Sequence, residues 1–135
     1  MLDRALDSVR SVSAFQQANI PSAHTIWELV LHIATWDDAV MRRTNGTAFM
    51  PTDEQNFPKV QDTSESAWRA AVERLKQTHS QLLNTVANFP DARLGEQVPG
   101  KKPAYYTFHY MFAGVVQHET YHAGQIALLK KARKQ

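Results

Sequence analysis

An all-α fold is what this sequence predicts: an up-down-down-up four-helix bundle with a shortened first helix. Three observations predict it. Three long stretches carry apolar residues at helical spacing, and no strand of useful length is found. One of those stretches holds His32, and another holds His118 and His122, one turn apart on a helix face. Gathering the three rings at one point sets those two helices antiparallel. Finally, residues 45–62 form a connection of 18 residues that contains Gly46, Pro51 and Pro58. It can extend to about 60 Å, twice the length of a 20-residue helix. The short link between the third and fourth helices favours an antiparallel pair as well, so the second and third must run parallel, and a crossover of that reach lets them do so.

Residues 1–10 have helix-like spacing through Leu2, Leu6 and Val9 but form a short segment that must dock on something to persist. Residues 11–23 read as polar and irregular. The second helix opens on a capping box, with Thr25 as N-cap and Glu28 three residues on. Leu29, Ile33, Trp36 and Val40 form its stripe, widened by Ile26, Val30 and Ala34, and Asn45-Gly46 stops it. The third helix opens at Asp62 or Thr63, with Glu65 following, and Pro90 ends it. Its stripe is Trp68, Ala71, Val72, Leu75, His79, Leu82, Leu83 and Val86. A turn at Val98-Pro99-Gly100 precedes the last helix, residues 107–131. Phe108, Met111, Phe112, Val115, Val116, Ile126 and Leu129 line the buried side of that helix. Gly114 and Gly124 lower its propensity, and close approach to a neighbouring helix would account for them.

Composition bounds the function. With 135 residues, 43% hydrophobic and 21% charged, the chain reads as one globular domain spanning residues 1–135. It has no cysteine, which excludes disulfides, thiolate ligands and a cysteine nucleophile. No apolar run reaches membrane-spanning length and the N-terminus does not read as a signal peptide, so a cytoplasmic protein without membrane partners is expected. The net charge is +2, with Lys130, Lys131, Arg133 and Lys134 clustered at the end. These complement a helix dipole, and no wider basic stripe accompanies them, so a nucleic-acid partner is not expected.

The chemistry sits in His32, His118 and His122, which we read as ligands of one divalent metal. Two unpaired imidazoles on the buried side of a helix would be costly, and a shared ion removes that cost. His118-Glu119-Thr120-Tyr121-His122 also fits the zinc-protease signature. However, the 13 residues after His122 contain no Asp, Glu or His to complete such a site. Glu119 is a candidate general base if it faces the metal, with a structural carboxylate the favoured reading. Glu28 is a second candidate beside His32, with its capping role favoured. Tyr121 and Gln125 lie nearby. His79 reads as a structural residue bonded across the bundle. His24 and His109 read as surface or capping residues far from the site. The three tryptophans read as core, although Trp36 could wall a pocket.

Ile26-Trp27-Glu28-Leu29-Val30-Leu31-His32-Ile33 and His118-Glu119-Thr120-Tyr121-His122-Ala123-Gly124-Gln125-Ile126 together resemble the DinB/YfiT-like superfamily, over residues 23–132. The resemblance implies a four-helix bundle with His32, His118 and His122 holding one divalent ion, Zn²⁺ or Ni²⁺. It further implies a small-molecule substrate, with hydrolysis or transfer using a low-molecular-weight thiol as the activity. A non-catalytic metal-binding protein of the stress response is the alternative. The family's first helix is long, and here it is cut back. Apolar surface left bare on its neighbours points to a homodimer.

Overall fold

The computed structural model describes residues 1–16 and 20–132. The helices are α1 (Leu2–Leu6), α2 (Ser11–Phe15), α3 (Ile26–Thr44), α4 (Asp53–Asn56), α5 (Glu65–Ala87) and α6 (Phe108–Ala132), with a 3₁₀ turn at Asp91–Arg93. Among the described residues the only extended pairing is an isolated bridge between Gln97 and Thr107.

Local chemistry sets the helix ends. Thr25 Oγ1 accepts from the Glu28 amide at 3.1 Å, and Glu28 Oε2 accepts from the Thr25 amide at 3.3 Å. This reciprocal cap begins α3 as expected. At the other end Asn45 is followed by Gly46 at φ 95°, a conformation that glycine adopts without strain. The start of α5 corrects the sequence reading by about two residues. Ser64 is the N-cap, accepting from the Ala67 amide at 3.1 Å, while Asp62 accepts from the Ser64 amide and shapes the turn before the helix. Gly100 lies in the expected turn, at φ 79°, and a Cβ there would fall 2.8 Å from that of Ala48.

The long helices α5 and α6 both pack on α3. Near its start, Trp27, Leu29 and Ile33 pack with Trp68 and Leu75 of α5 and with Ile126 and Leu129 of α6. Near its end, Val40 joins Leu82 of α5 and Phe108, Met111 and Phe112 of α6. Beginnings of α3 and α5 therefore meet, and so do their ends, while α6 runs the opposite way. This is the up-down-down-up bundle, with residues 45–62 as the crossover.

The fourth position is filled at one end. The expected single N-terminal helix is two short ones, and residues 11–15, read as irregular, are helical. Tertiary anchoring outweighs weak local propensity there: Ala14 is fully buried, and the Ser11 amide donates to Glu65 Oε2 at 2.9 Å. Residues 17–19 of that stretch, and Arg133 and Lys134 of the basic tail, lie outside the described residues. Lys130 donates to the Asp7 carbonyl, tying α6 to the end of α1.

Three further expectations are corrected. Leu83 and Val86 on α5 and Val116 on α6 are exposed, 57%, 38% and 62%, because the short N-terminal helices leave that part of the fourth position open. Thr78 is buried on α5 instead, its hydroxyl donating to the Leu75 carbonyl. A methyl group placed on Gly114 or Gly124 would meet no neighbouring atom of the described residues within 4 Å, so close helix approach does not explain these glycines.

Candidate metal centre

The antiparallel pairing of α3 with α6 brings His32, His118 and His122 together as the sequence predicts. His32 Nε2 lies 2.9 Å from His118 Nε2, which lies 3.1 Å from His122 Nε2. A tetrahedral zinc with bonds of about 2.0–2.1 Å sets its nitrogens about 3.3 Å apart, so the observed triad is within a few tenths of an ångström of that spacing.

The other ring nitrogens orient the set. His32 Nδ1 donates to the Asn56 carbonyl at 2.9 Å, and His122 Nδ1 donates to Gln125 Oε1 at 2.6 Å. In the neutral rings both Nε2 atoms are then bare lone pairs, directed at His118. One N–H on His118 Nε2 could serve only one of them, and His118 Nδ1 is buried without a partner among the described residues. Three converging nitrogens that protons cannot satisfy fit a divalent cation. The rings are also in the right charge state. Burial, with the neighbouring imidazoles, pushes His118 down to about 4. Burial is likewise the main cause lowering His32 and His122, against the opposing hydrogen bonds from Asn56 and Gln125.

The crossover supplies residues that no local pattern announces. Phe57 lies flat on the His32 ring, centroids 4.2 Å apart, and on the His24 ring at 3.8 Å. His24 was expected far from the site. Instead it forms the outer layer of this three-ring stack, held by its Nδ1 hydrogen bond to Glu28 Oε2 at 2.8 Å. The only sequence signal for this was the spacing of His24 four residues before Glu28. Asn56 Oδ1 also accepts from Trp36 Nε1 at 2.7 Å.

Neither candidate carboxylate is free for acid–base work at the triad. Glu28 is engaged by the Thr25 amide and His24. Glu119 is buried and accepts from His79 Nδ1 at 3.2 Å, which bonds His79 across the bundle as expected. Beside it is Asp37, fully buried, whose oxygens have no donor among the described residues. Burial first, and then the neighbouring Glu119, pushes Asp37 up to about 9, so it keeps its proton at neutral pH. That proton supplies the missing donor toward Glu119. The trio Asp37, His79 and Glu119 is close enough to hold an ion, yet a proton on Asp37 already pairs the two carboxylates.

A cavity of about 330 Å³ opens beside the triad. His32 and His118 lie at one end, Trp36, Met111 and Val115 along its walls, and Arg43, Tyr106 and Tyr110 toward the other. Trp36 therefore does wall a pocket, whereas Trp27 and Trp68 are core. No carboxylate lines the cavity.

Comparison with known families matches residues 1–126 of the sequence to the DinB superfamily. The chain belongs to the DinB superfamily. No curated protein and no solved structure matches it. In this DinB-superfamily chain, the described residues contain no helix long and apolar enough to cross a membrane.

Proposed function

We propose that this DinB-superfamily protein holds one divalent ion, zinc or nickel, on His32, His118 and His122, and acts on a small molecule bound in the adjoining cavity. The observation that carries the reading is the convergence of three Nε2 atoms, two with their lone pairs fixed by Asn56 and Gln125. An ion held by three neutral nitrogens keeps coordination positions open and lowers the pKa of an incoming thiol or water.

Of the two reactions the family suggests, transfer of a low-molecular-weight thiol fits better than hydrolysis. The cavity contains no carboxylate that could remove a proton. A thiol with pKa about 8.5 needs little help to ionise at neutral pH, whereas water at about 15.7 needs a great deal. The chain's own residues orient and enclose: Asn56 and Gln125 fix ring tautomers, Phe57 covers His32 on one side, and Trp36 closes a wall. A non-catalytic metal-binding role is the second reading, favoured by the occupation of Glu28 and Glu119 elsewhere. We further propose a homodimer in the cytoplasm; the apolar groups that the short N-terminal helices leave exposed, Leu83, Val86 and Val116, support the dimer. A monomer by light scattering would remove the dimer.

Elemental analysis of purified protein beside His118→Ala tests the metal. Near-stoichiometric zinc or nickel in the wild type and its loss in the variant are expected. Equal content in both refutes the site. Thiol-dependent turnover of an electrophile that disappears with the ion separates the enzyme from the non-catalytic reading.

A further inference from the structure

We propose that the far end of the cavity is an anion site, formed by Arg43 with Lys101 in support, and that the ligand is a small carboxylate with an apolar or aromatic body. This rests on the reading of the cavity as the substrate site beside the triad, and it names the class of molecule that site takes.

Arg43 is 2% exposed, and no carboxylate among the described residues pairs with it. Its Nε donates to the Phe49 carbonyl at 2.9 Å, and Nη2 reaches Met50 Sδ at 3.4 Å. Those contacts hold the start of the crossover against α3. They use two of five donors, one of them on a weak acceptor, and neither neutralises a charge. A buried guanidinium without a counter-charge is unfavourable unless an anion joins it.

Lys101 adds a second cation. Its ammonium lies over the Tyr106 ring, 4.7 Å from the centroid, and Tyr106 lines the cavity. Burial lowers the Lys101 pKa, and Arg43 lowers it further, so Lys101 stands just behind the Tyr106 wall, close enough for the two cations to act on one another. No acid among the described residues pairs with Lys101 either.

The fork of a guanidinium matches a carboxylate in shape and hydrogen-bond geometry. Between Arg43 and the triad lies Trp36, its ring 5.5 Å from the guanidinium carbon and 6.5 Å from the His32 ring. Trp36, Tyr110, Met111 and Val115 offer an apolar passage of that length. A ligand with its carboxylate on Arg43 therefore lays an apolar body along Trp36 and directs its other end at the histidines.

The test titrates benzoate and its neutral isostere benzamide into the full-length protein by calorimetry, with zinc added and again after chelation. Benzoate is expected to bind at least about tenfold more tightly than benzamide, in both states, as a charged hydrogen-bonded pair implies. Arg43→Gln should remove that preference, and Lys101→Gln, at a more accessible position, should reduce it several-fold. Lys101→Gln should leave benzamide binding, zinc content and the helical circular-dichroism signal unchanged, and Arg43→Gln, which also gives up the Phe49 contact, should keep the helical signal and still bind benzamide. Benzoate and benzamide binding alike, or no benzoate binding at millimolar concentration, overturns the proposal. So does a preference that survives both substitutions and vanishes with chelation, since the ion then holds the carboxylate; that outcome leaves the metal reading standing. A preference that persists in protein that binds no zinc keeps the anion site and removes the metal reading.

Discussion

Replacing His118 with alanine should have opposite effects on the metal-free and metal-loaded protein. In the metal-free protein, the folded ring resists protonation until about pH 4, whereas the unfolded chain takes up that proton near pH 6.5. The resulting stability is present above pH 6.5 and is lost as pH falls toward 4. The shift corresponds to about 3 kcal/mol at 1.36 kcal/mol per unit, reduced to about 2 kcal/mol because the ring is partly open to solvent. Metal-free His118→Ala should therefore lose about 2 kcal/mol less than the wild type between pH 7 and pH 4. With zinc at about a hundredfold its dissociation constant, the wild type should gain about 2.7 kcal/mol, and the variant should gain far less. Urea unfolding followed by tryptophan fluorescence, with chelator or zinc, measures both effects. Equal acid sensitivity and an equal response to zinc in the two proteins would refute the reasoning.

Other expected outcomes concern the groups around the triad. Asp37 binds a proton in the folded state up to about pH 9 that the unfolded chain releases near pH 4, so stability falls as pH rises through that window. The slope is about 1.4 kcal/mol per pH unit, and Asp37→Asn, which keeps a donor toward Glu119, should flatten it in unfolding curves taken from pH 5 to 8. Gln125→Leu removes the acceptor of His122 Nδ1 and should weaken zinc about 10- to 100-fold in a competition titration, with little change in fold. Gly100→Ala places a methyl against Ala48 at a left-handed backbone position and should destabilise by about 1–3 kcal/mol in urea unfolding.

The parts legible in the sequence are those with a local period. His118 and His122 share a face because they are four apart, and His32 rides the edge of a stripe. Antiparallel pairing of two helices is then enough to gather them. Asn56 and Phe57 carry no such mark. They reach His32 through the tertiary path of the crossover, which neither helical spacing nor turn chemistry encodes. For the same reason His24, four residues before a capping glutamate, reads as a surface group until Phe57 is laid between it and His32. Arg43 continues the α3 helix in the sequence and gives no sign of its burial. Leu83, Val86 and Val116 show the converse failure. Their spacing is that of a core face, but the helix that would cover them is reduced to α1 and α2, of which α1 meets α6 farther along, near Thr120 and Ala123, and α2 packs on α3 and α5.

The contact between Asn56 and His32 links two things that a diagram of the fold keeps apart. The carbonyl that fixes the tautomer of His32 belongs to a segment that also joins α3 to α5. Occupancy of the triad and the ordering of that segment are therefore reciprocal: whatever favours one favours the other by the same free energy. A protease cut in residues 45–62 should then be slowed by ligation 24 residues away in sequence, with no need for the ion to touch the cleaved bond.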